Sequence, residues 1–185
     1  MSSQVRNGTI PGISIIEFPQ HKDIRGTFQK VFSQFVFDGA GHEFFIRQVN
    51  YSMNPEVGIL RGMHYQASEE PEKKVIHCIQ GGIFDVIVDL RKGSPTFMRW
   101  ESYEMEGGQS KIIMIPAGCA HGFQTTKPDT IILYLHTAEY AENKQFGLNA
   151  LDPKLGINWP TIPAKRSASD EARPFIQTFW EGLPS

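Results

Sequence analysis

The sequence predicts an all-β fold, a β-sandwich or barrel with a few short peripheral helices. Short apolar or alternating runs recur between residues 13 and 137, and clusters of Gly, Pro and Asn separate them. Long helical periodicity is absent from the sequence. Many short strands at close spacing are typical of sandwiches and barrels. The chain has 185 residues, which is enough for one sizeable core, so we expect residues 1–185 to form a single domain.

Six segments have the clearest strand pattern, and turn residues separate several of them. Gly81 and Gly82 suit a tight hairpin, and the sequence from Pro116 to Gly118 is a turn signal. We expect that turn to place His121 at the head of a further strand. The six predicted strands are residues 45–50, 58–66, 74–80, 83–90, 111–115 and 130–137.

Helix is predicted in only two places, residues 33–39 and residues 169–172. Ser167 and Ser169 are both candidate N-caps for the second helix. From Leu151 onward, prolines at positions 153, 160, 163 and 174 predict a tail that wraps the barrel irregularly and forms no second core.

Composition excludes several classes of function. A formal net charge of −2 predicts no bulk attraction to nucleic acid, so any anion site must be local. No segment is long and apolar enough to cross a bilayer, and we expect no membrane partner. The two cysteines, Cys78 and Cys119, lie among apolar residues, which predicts reduced thiols and a cytoplasmic protein.

The segment GILRGMHYQ, residues 58–66, introduces charge into a half-buried strand. Strand alternation places Arg61 and His64 on opposite faces. A bulge at Gly62, which lies between them, would direct both side chains into the same cavity. The residues alone leave two interpretations open, a shared site or a surface arginine beside a hydrogen-bonded core histidine.

Three further polar residues lie in apolar surroundings. Lys74 shares a strand face with Ile76 and Cys78, which would desolvate its ammonium group unless an anion lies nearby. Equally, Lys74 could extend from the end of the strand into solvent. Asp85 lies between apolar neighbours and needs a hydrogen-bond partner. Tyr134 points either into the barrel or to the outer side of its sheet. Inside, its phenol would need a partner too, and it could donate a proton if that partner is a substrate.

A metal site is disfavoured by spacing. His64 is followed by Tyr65 and Gln66, so this strand lacks the His-x-His pair that supplies two imidazoles in metal-binding barrels. We therefore expect no metal and no cofactor. A metal-dependent oxygenase remains an alternative interpretation of histidines on separate strands.

Taken together, several segments resemble the dTDP-4-dehydrorhamnose 3,5-epimerase family of nucleotide-sugar enzymes. The resemblance runs in order through nearly the whole chain, from about residue 13 to residue 170. It implies a metal-free, cupin-type β jelly roll and a homodimer in which strands of the partner help to close each site. The segments are RGTF (25–28), QVNYS (48–52), GILRGMHYQ (58–66), KVIHCIQGGIFDVIVDLRKGSPTF (74–97), IPAGCAHGF (115–123) and ILYLHTAEY (132–140).

The resemblance also implies roles for individual residues. The family's general base falls on His64, its proton donor on Tyr134, and the lysine near the sugar's keto oxygen on Lys74. Asp170 takes the place of the carboxylate that orients the base. The substrate would be a nucleoside diphosphate 4-keto-6-deoxy sugar, inverted at C3, C5 or both through an enolate. Contacts to its nucleotide and diphosphate fall on Arg25, Gln48, Asn50, Arg61 and His121, with Tyr140 stacking on the nucleobase.

The resemblance is less complete around the nucleotide. Lys30 and Gln145 stand where the family commonly has acids, and Ser169 stands where it has a lysine. The nucleobase therefore remains open, and so does a mono-epimerase that acts on a sugar carried by another nucleotide. A cupin that binds a sugar nucleotide without turning it over is the alternative from a different class.

Overall fold

The computed structural model describes residues 2–66, 72–139, 144–177 and 180–183. Within them, two antiparallel sheets pack face to face, which confirms the predicted all-β sandwich. The elements are β1 (Gln4–Asn7), β2 (Ser14–Glu17), β3 (Gln20–Asp23), β4 (Gly26–Gln29), α1 (Gln34–Gly39), β5 (Gln48–Asn54), β6 (Leu60–Gln66), β7 (Lys74–Gln80), β8 (Gly82–Asp89), β9 (Trp100–Glu106), β10 (Lys111–Ile115), β11 (Cys119–Thr125), β12 (Thr130–His136), β13 (Gln145–Gly147) and α2 (Ala168–Glu171).

The first sheet has six strands in the order β1-β2-β10-β7-β12-β5, and the second has five in the order β13-β6-β11-β8-β9. The strands β3 and β4 form a separate two-stranded hairpin. Side chains from both sheets fill the space between them, among them Ile76, Ile87, Phe123 and Ile132. These side chains form the hydrophobic core, and a polar cavity also lies between the same two sheets.

Each sheet is also covered on its outer face. The helix α1 supplies Phe37, which packs with Phe44 and Val75 against the six-stranded sheet. The tail covers the five-stranded sheet, where Leu155 and Ile176 are buried. From residue 151 onward, α2 is the one helix or strand named in the described residues.

Most predicted elements are confirmed within one or two residues, and β7 and β10 match at both ends. For α2, Ser167 is the cap, because its hydroxyl accepts a bond from the backbone N–H of Asp170. The prediction for β5 was shifted, since the strand begins at Gln48 and pairs with β12 through Asn54. Strand β9 was missed because its sequence, WESYEME, is polar on its exposed positions.

Candidate active site

A polar cavity of about 310 Å³ lies between the two sheets, among strands β5, β6, β7, β11 and β12. Seven of the residues singled out in the sequence meet there, while Asp170 lies behind one of them. A polar cavity between two sheets requires polar side chains on the inner faces of the strands. In the sequence, these side chains are visible as polar residues within otherwise apolar strands. The seven are Gln48, Asn50, Arg61, His64, Lys74, His121 and Tyr134.

A bulge at Gly62 brings Arg61 and His64 to the same cavity, as predicted. Arg61 lies opposite Phe123 and His64 lies opposite His121, so β6 uses one more residue than β11 over this interval. Gly62 has a φ of +116°, and an added Cβ would lie 2.6 Å from the Cα of Gly122. Only glycine fits there.

His64 forms a close pair with Asp170, which lies on α2 in the C-terminal tail. The distance from Nε2 of His64 to Oδ1 of Asp170 is 2.6 Å, and the backbone N–H of Gly62 donates to Oδ2 at 3.3 Å. Burial raises the pKa of Asp170, but the hydrogen bond and charge of His64 together with the bonds from Gly62 and Ser167 lower it overall. An ionised carboxylate only accepts, so Nε2 carries the hydrogen and Nδ1 keeps its lone pair.

Lys74 is buried at the cavity wall and does not extend into solvent. Its Nζ lies 3.0 Å from Oε2 of Glu72, and Nδ1 of His136 lies 2.9 Å from Oε1 of the same carboxylate. Burial raises the pKa of Glu72, but the bonds from His136 and Lys74 lower it overall. Glu72 is therefore the anion that the apolar surroundings of Lys74 require. The sequence interpretation missed both Glu72 and His136.

Tyr134 lines the cavity from β12, in the sheet opposite His64. Its hydroxyl lies 2.9 Å from Oγ of Ser52. Burial raises the pKa of Tyr134 to about 12, so the phenol is neutral near pH 7 and has a proton to donate. Ser52 was missed, although alternation along QVNYS places it on the same face as Gln48 and Asn50.

His121 forms a second histidine–carboxylate pair on the same side of the cavity as His64. Its Nε2 lies 2.7 Å from Oδ1 of Asp85, whose side chain is fully buried on the adjacent strand β8. This is the partner that Asp85 required. Within the described chain, Oδ2 of Asp85 has no hydrogen-bond partner.

Two predicted residues are not part of this arrangement. Arg25 lies on the β3–β4 hairpin, where it pairs with Asp23 at 2.5 Å and does not line the cavity of its own chain. Tyr140 lies outside the described residues.

Two features are absent from the part of the chain that the structure describes. No cluster of three His, Cys, Asp or Glu side chains there is arranged to hold a metal ion. Neither helix within those ranges has the length and apolar character that a membrane span needs.

The geometry places an imidazole and a phenol on opposing walls of one cavity, which an ammonium group and a guanidinium group also line. Such a pair can remove a proton from one face of a small molecule and return one to the other. The charged neighbours can stabilise an oxyanion or hold an anionic group.

The chain is similar throughout to known proteins. The model of the dTDP-4-dehydrorhamnose 3,5-epimerase family matches residues 7–178. A dTDP-4-dehydrorhamnose 3,5-epimerase of Sinorhizobium fredii is 36% identical over 169 residues, which cover 91% of this chain and 87% of that protein.

Solved structures give the same result. The dTDP-4-dehydrorhamnose 3,5-epimerase of Bacillus anthracis, with TDP and PPi bound, has a TM-score of 0.90 at 33% identity and covers 94% of this chain and 99% of that chain. A 3'-monoepimerase of Streptomyces bikiniensis in complex with dTDP-quinovose has a TM-score of 0.87 at 35% identity, covering 92% and 86%. Sequence and fold thus agree along nearly the whole chain, which belongs to the dTDP-4-dehydrorhamnose 3,5-epimerase family and is a cupin-like isomerase of deoxysugar biosynthesis.

Proposed function

We propose that this protein inverts C3, or both C3 and C5, of a nucleoside diphosphate 4-keto-6-deoxyhexose. The observation that carries the proposal is the placement of His64 and Tyr134 on strands of opposing sheets, facing one cavity. Inversion at carbon requires a base on one face of the sugar and an acid on the other. A non-catalytic binding protein would not need this pair.

In the proposed reaction, Nδ1 of His64 removes the proton from the carbon next to the C4 ketone. The electron pair of that C–H bond forms the enolate, and the charge develops on the keto oxygen, where the ammonium group of Lys74 stabilises it. Tyr134 then gives its phenolic proton to the same carbon from the opposite face. Exchange with water returns a proton to the phenolate and removes one from the imidazolium, so the enzyme is restored.

We assign the diphosphate to Arg61 and His121, which border the cavity beside His64. A guanidinium group presents a planar pair of donors that matches two phosphate oxygens. Gln48 and Asn50 line the neighbouring wall and supply amide groups for the sugar or the nucleoside. The TDP bound to the Bacillus anthracis relative supports a nucleotide as part of the ligand of this protein.

We also infer that the protein is a homodimer, with β5 at the interface. This strand lies at the edge of its sheet, and its outward side chains Val49, Tyr51 and Met53 are 54%, 68% and 64% exposed. Apolar side chains along an open strand edge favour pairing with a second copy. Phe28 on the β3–β4 hairpin is also exposed, at 77%, so this hairpin is suited to carry Arg25 into the cavity of the partner.

Mixing two inactive variants tests the dimer and the assignment of Arg25 together. In a heterodimer of Arg25→Ala and His64→Ala subunits, one cavity combines the intact His64 of one chain with the intact Arg25 of the other. We expect the mixture to recover activity that neither variant has alone. If Arg25 acts only within its own chain, mixing restores nothing. Sedimentation of the wild type and of Met53→Asp measures the dimer independently.

We place the activity in the cytoplasm, where the free and buried Cys78 and Cys119 stay reduced.

The central test is incubation of the purified protein in D₂O with 4-keto-6-deoxyhexoses carried by dTDP, CDP or GDP, followed by NMR. We expect deuterium at C3, or at C3 and C5, with inverted configuration and without added metal. The pattern distinguishes a mono-epimerase from a 3,5-epimerase, and the substrate panel identifies the nucleobase. Binding of a sugar nucleotide without exchange or inversion would contradict the proposed function and favour a binding protein.

A further inference from the structure

A continuous chain of hydrogen bonds connects Arg61 to Tyr134 along the wall of the cavity. Nε of Arg61 donates to Oδ1 of Asn54 at 2.8 Å, and Nδ2 of Asn54 donates to Oγ of Ser52 at 3.1 Å. Ser52 in turn lies 2.9 Å from the hydroxyl of Tyr134. None of the roles assigned above uses Asn54 or Ser52.

The direction of these bonds follows from what each atom can do. The guanidinium group of Arg61 only donates, so it must face the oxygen of the Asn54 amide. At the other end of the amide, the carbonyl oxygen of Thr130 only accepts, and it lies 3.2 Å from Nδ2. Both ends therefore require the same orientation of Asn54, which is 1% exposed. Its nitrogen is fixed toward Ser52.

This orientation decides the role of the Ser52 hydroxyl. Its oxygen accepts from Asn54, and its own hydrogen is then available for the oxygen of Tyr134. If Ser52 donates to Tyr134, the phenolic hydrogen of Tyr134 is not held by Ser52 and is available to a molecule in the cavity. After Tyr134 has lost its proton, the same bond becomes a charge-assisted bond to the phenolate and needs no rearrangement.

We propose that Ser52 and Asn54 are positioning residues for the acid step, which aim the proton of Tyr134 at the substrate and stabilise the phenolate left behind. This inference rests on the proposed epimerase function. The pKa of Tyr134 agrees with this role, because burial raises it and the bond to Ser52 lowers it in part. A bond to a charged group of this kind is worth about a ten- to hundredfold change in rate.

The variant Ser52→Ala tests the proposal by separating the two proton transfers. In D₂O, His64 still removes the proton, but the enolate waits for a poorer acid and returns to His64, which has exchanged with solvent. We expect the inverted product to form about ten- to a hundredfold more slowly, while deuterium accumulates in substrate of unchanged configuration. The ratio of exchange to inversion should rise, with little change in KM. Ser52→Thr keeps the hydroxyl and should restore the wild-type ratio.

The variant Asn54→Asp is a second test that keeps the size of the side chain. A carboxylate accepts from Ser52 instead of donating to it, so Ser52 turns its hydrogen away and accepts from Tyr134. The phenolic proton is then held away from the cavity, and the ratio should rise as in Ser52→Ala. Thermal unfolding monitored by circular dichroism verifies that both variants are folded.

The outcomes for this inference and for the proposed function are distinct. Exchange and inversion by the wild type support the proposed function whatever the variants do. With that activity present, an unchanged ratio of exchange to inversion in folded Ser52→Ala or Asn54→Asp overturns the positioning role alone. A ratio that rises in both variants and returns to the wild-type value in Ser52→Thr supports it.

Discussion

Two histidine–carboxylate pairs border the same cavity, and they have nearly the same length, 2.6 Å for His64 with Asp170 and 2.7 Å for His121 with Asp85. Their surroundings differ. The side chain of His64 is 29% exposed and lies on a bulged strand, while that of His121 is 7% exposed on its neighbour. The distance within a pair therefore does not decide its role.

The origin of each carboxylate differs as well. Asp85 comes from β8, which pairs in regular register with the strand of His121. Asp170 comes from the short helix α2 in the tail, and its second oxygen also binds the backbone of Gly62. One pair is part of the sheet itself, and the other is assembled from distant segments. We expect the assembled, more exposed pair to move protons and the buried pair to hold an anion.

The largest expected effect is that of His64→Ala. Loss of a positioned base typically costs about a hundred- to ten-thousandfold in rate, and deuterium uptake from D₂O should fall by that factor. Affinity for the nucleoside diphosphate, measured by calorimetry, should stay unchanged. Undiminished uptake would show that His64 is not the base and that the two pairs do not differ in this role.

Asp170→Asn should have the next largest effect, about a hundredfold or more in kcat. The amide nitrogen of asparagine can donate to Nε2, which favours the tautomer that carries its hydrogen on Nδ1 and so blocks the base. The pH–rate profile and kcat measure this. A rise in KM with kcat unchanged would show that the carboxylate serves binding and not the base.

His121→Asn should weaken nucleoside diphosphate binding by about tenfold, because it removes a bond to a charged oxygen. Deuterium uptake at saturating substrate should change little, in contrast with His64→Ala. Calorimetric titration and exchange rates on the same preparation give the comparison. Loss of exchange with intact binding would mean that His121 takes part in proton transfer.

The smallest effect concerns stability in acid. Burial raises the pKa of Asp170, but its bonds to His64, Gly62 and Ser167 and the charge of His64 together lower that pKa in the folded protein. A carboxyl group of this kind stabilises the fold above its unfolded pKa of about 3.9, and the contribution is lost as pH falls through the lower folded value. Below about pH 4, the Tm of Asp170→Asn should therefore fall less steeply with decreasing pH than the Tm of the wild type. An unchanged acid slope would indicate that the pair contributes nothing to folding.

Strand periodicity was sufficient to predict the sandwich and the polar side chains that enter it. A bulge could be predicted at Gly62 because this glycine lies between Arg61 and His64, two candidate site residues that strand alternation would place on opposite faces. His64 and Tyr134 interrupt apolar runs, so their positions were visible as well. Their roles came from the resemblance to the family, not from periodicity.

The other residues depend on contacts that alternation does not encode. Glu72 lies before its strand, and its bond to His136 follows from the pairing of Lys74 with His136 across β7 and β12. Asp170 lies in a segment without periodicity, so only the family resemblance pointed to it. Arg25 matches the family motif, yet its hairpin stands apart from the cavity of its own chain.

The position of α2 also has a consequence for how the protein is made. The carboxylate that orients His64 lies 106 residues further along the chain. On the ribosome, every strand of both sheets is synthesised before Asp170, so a nascent chain can form its sandwich while the imidazole still lacks its partner. We therefore expect the pairing of His64 with Asp170 to form late in synthesis, after the strands of both sheets have been made.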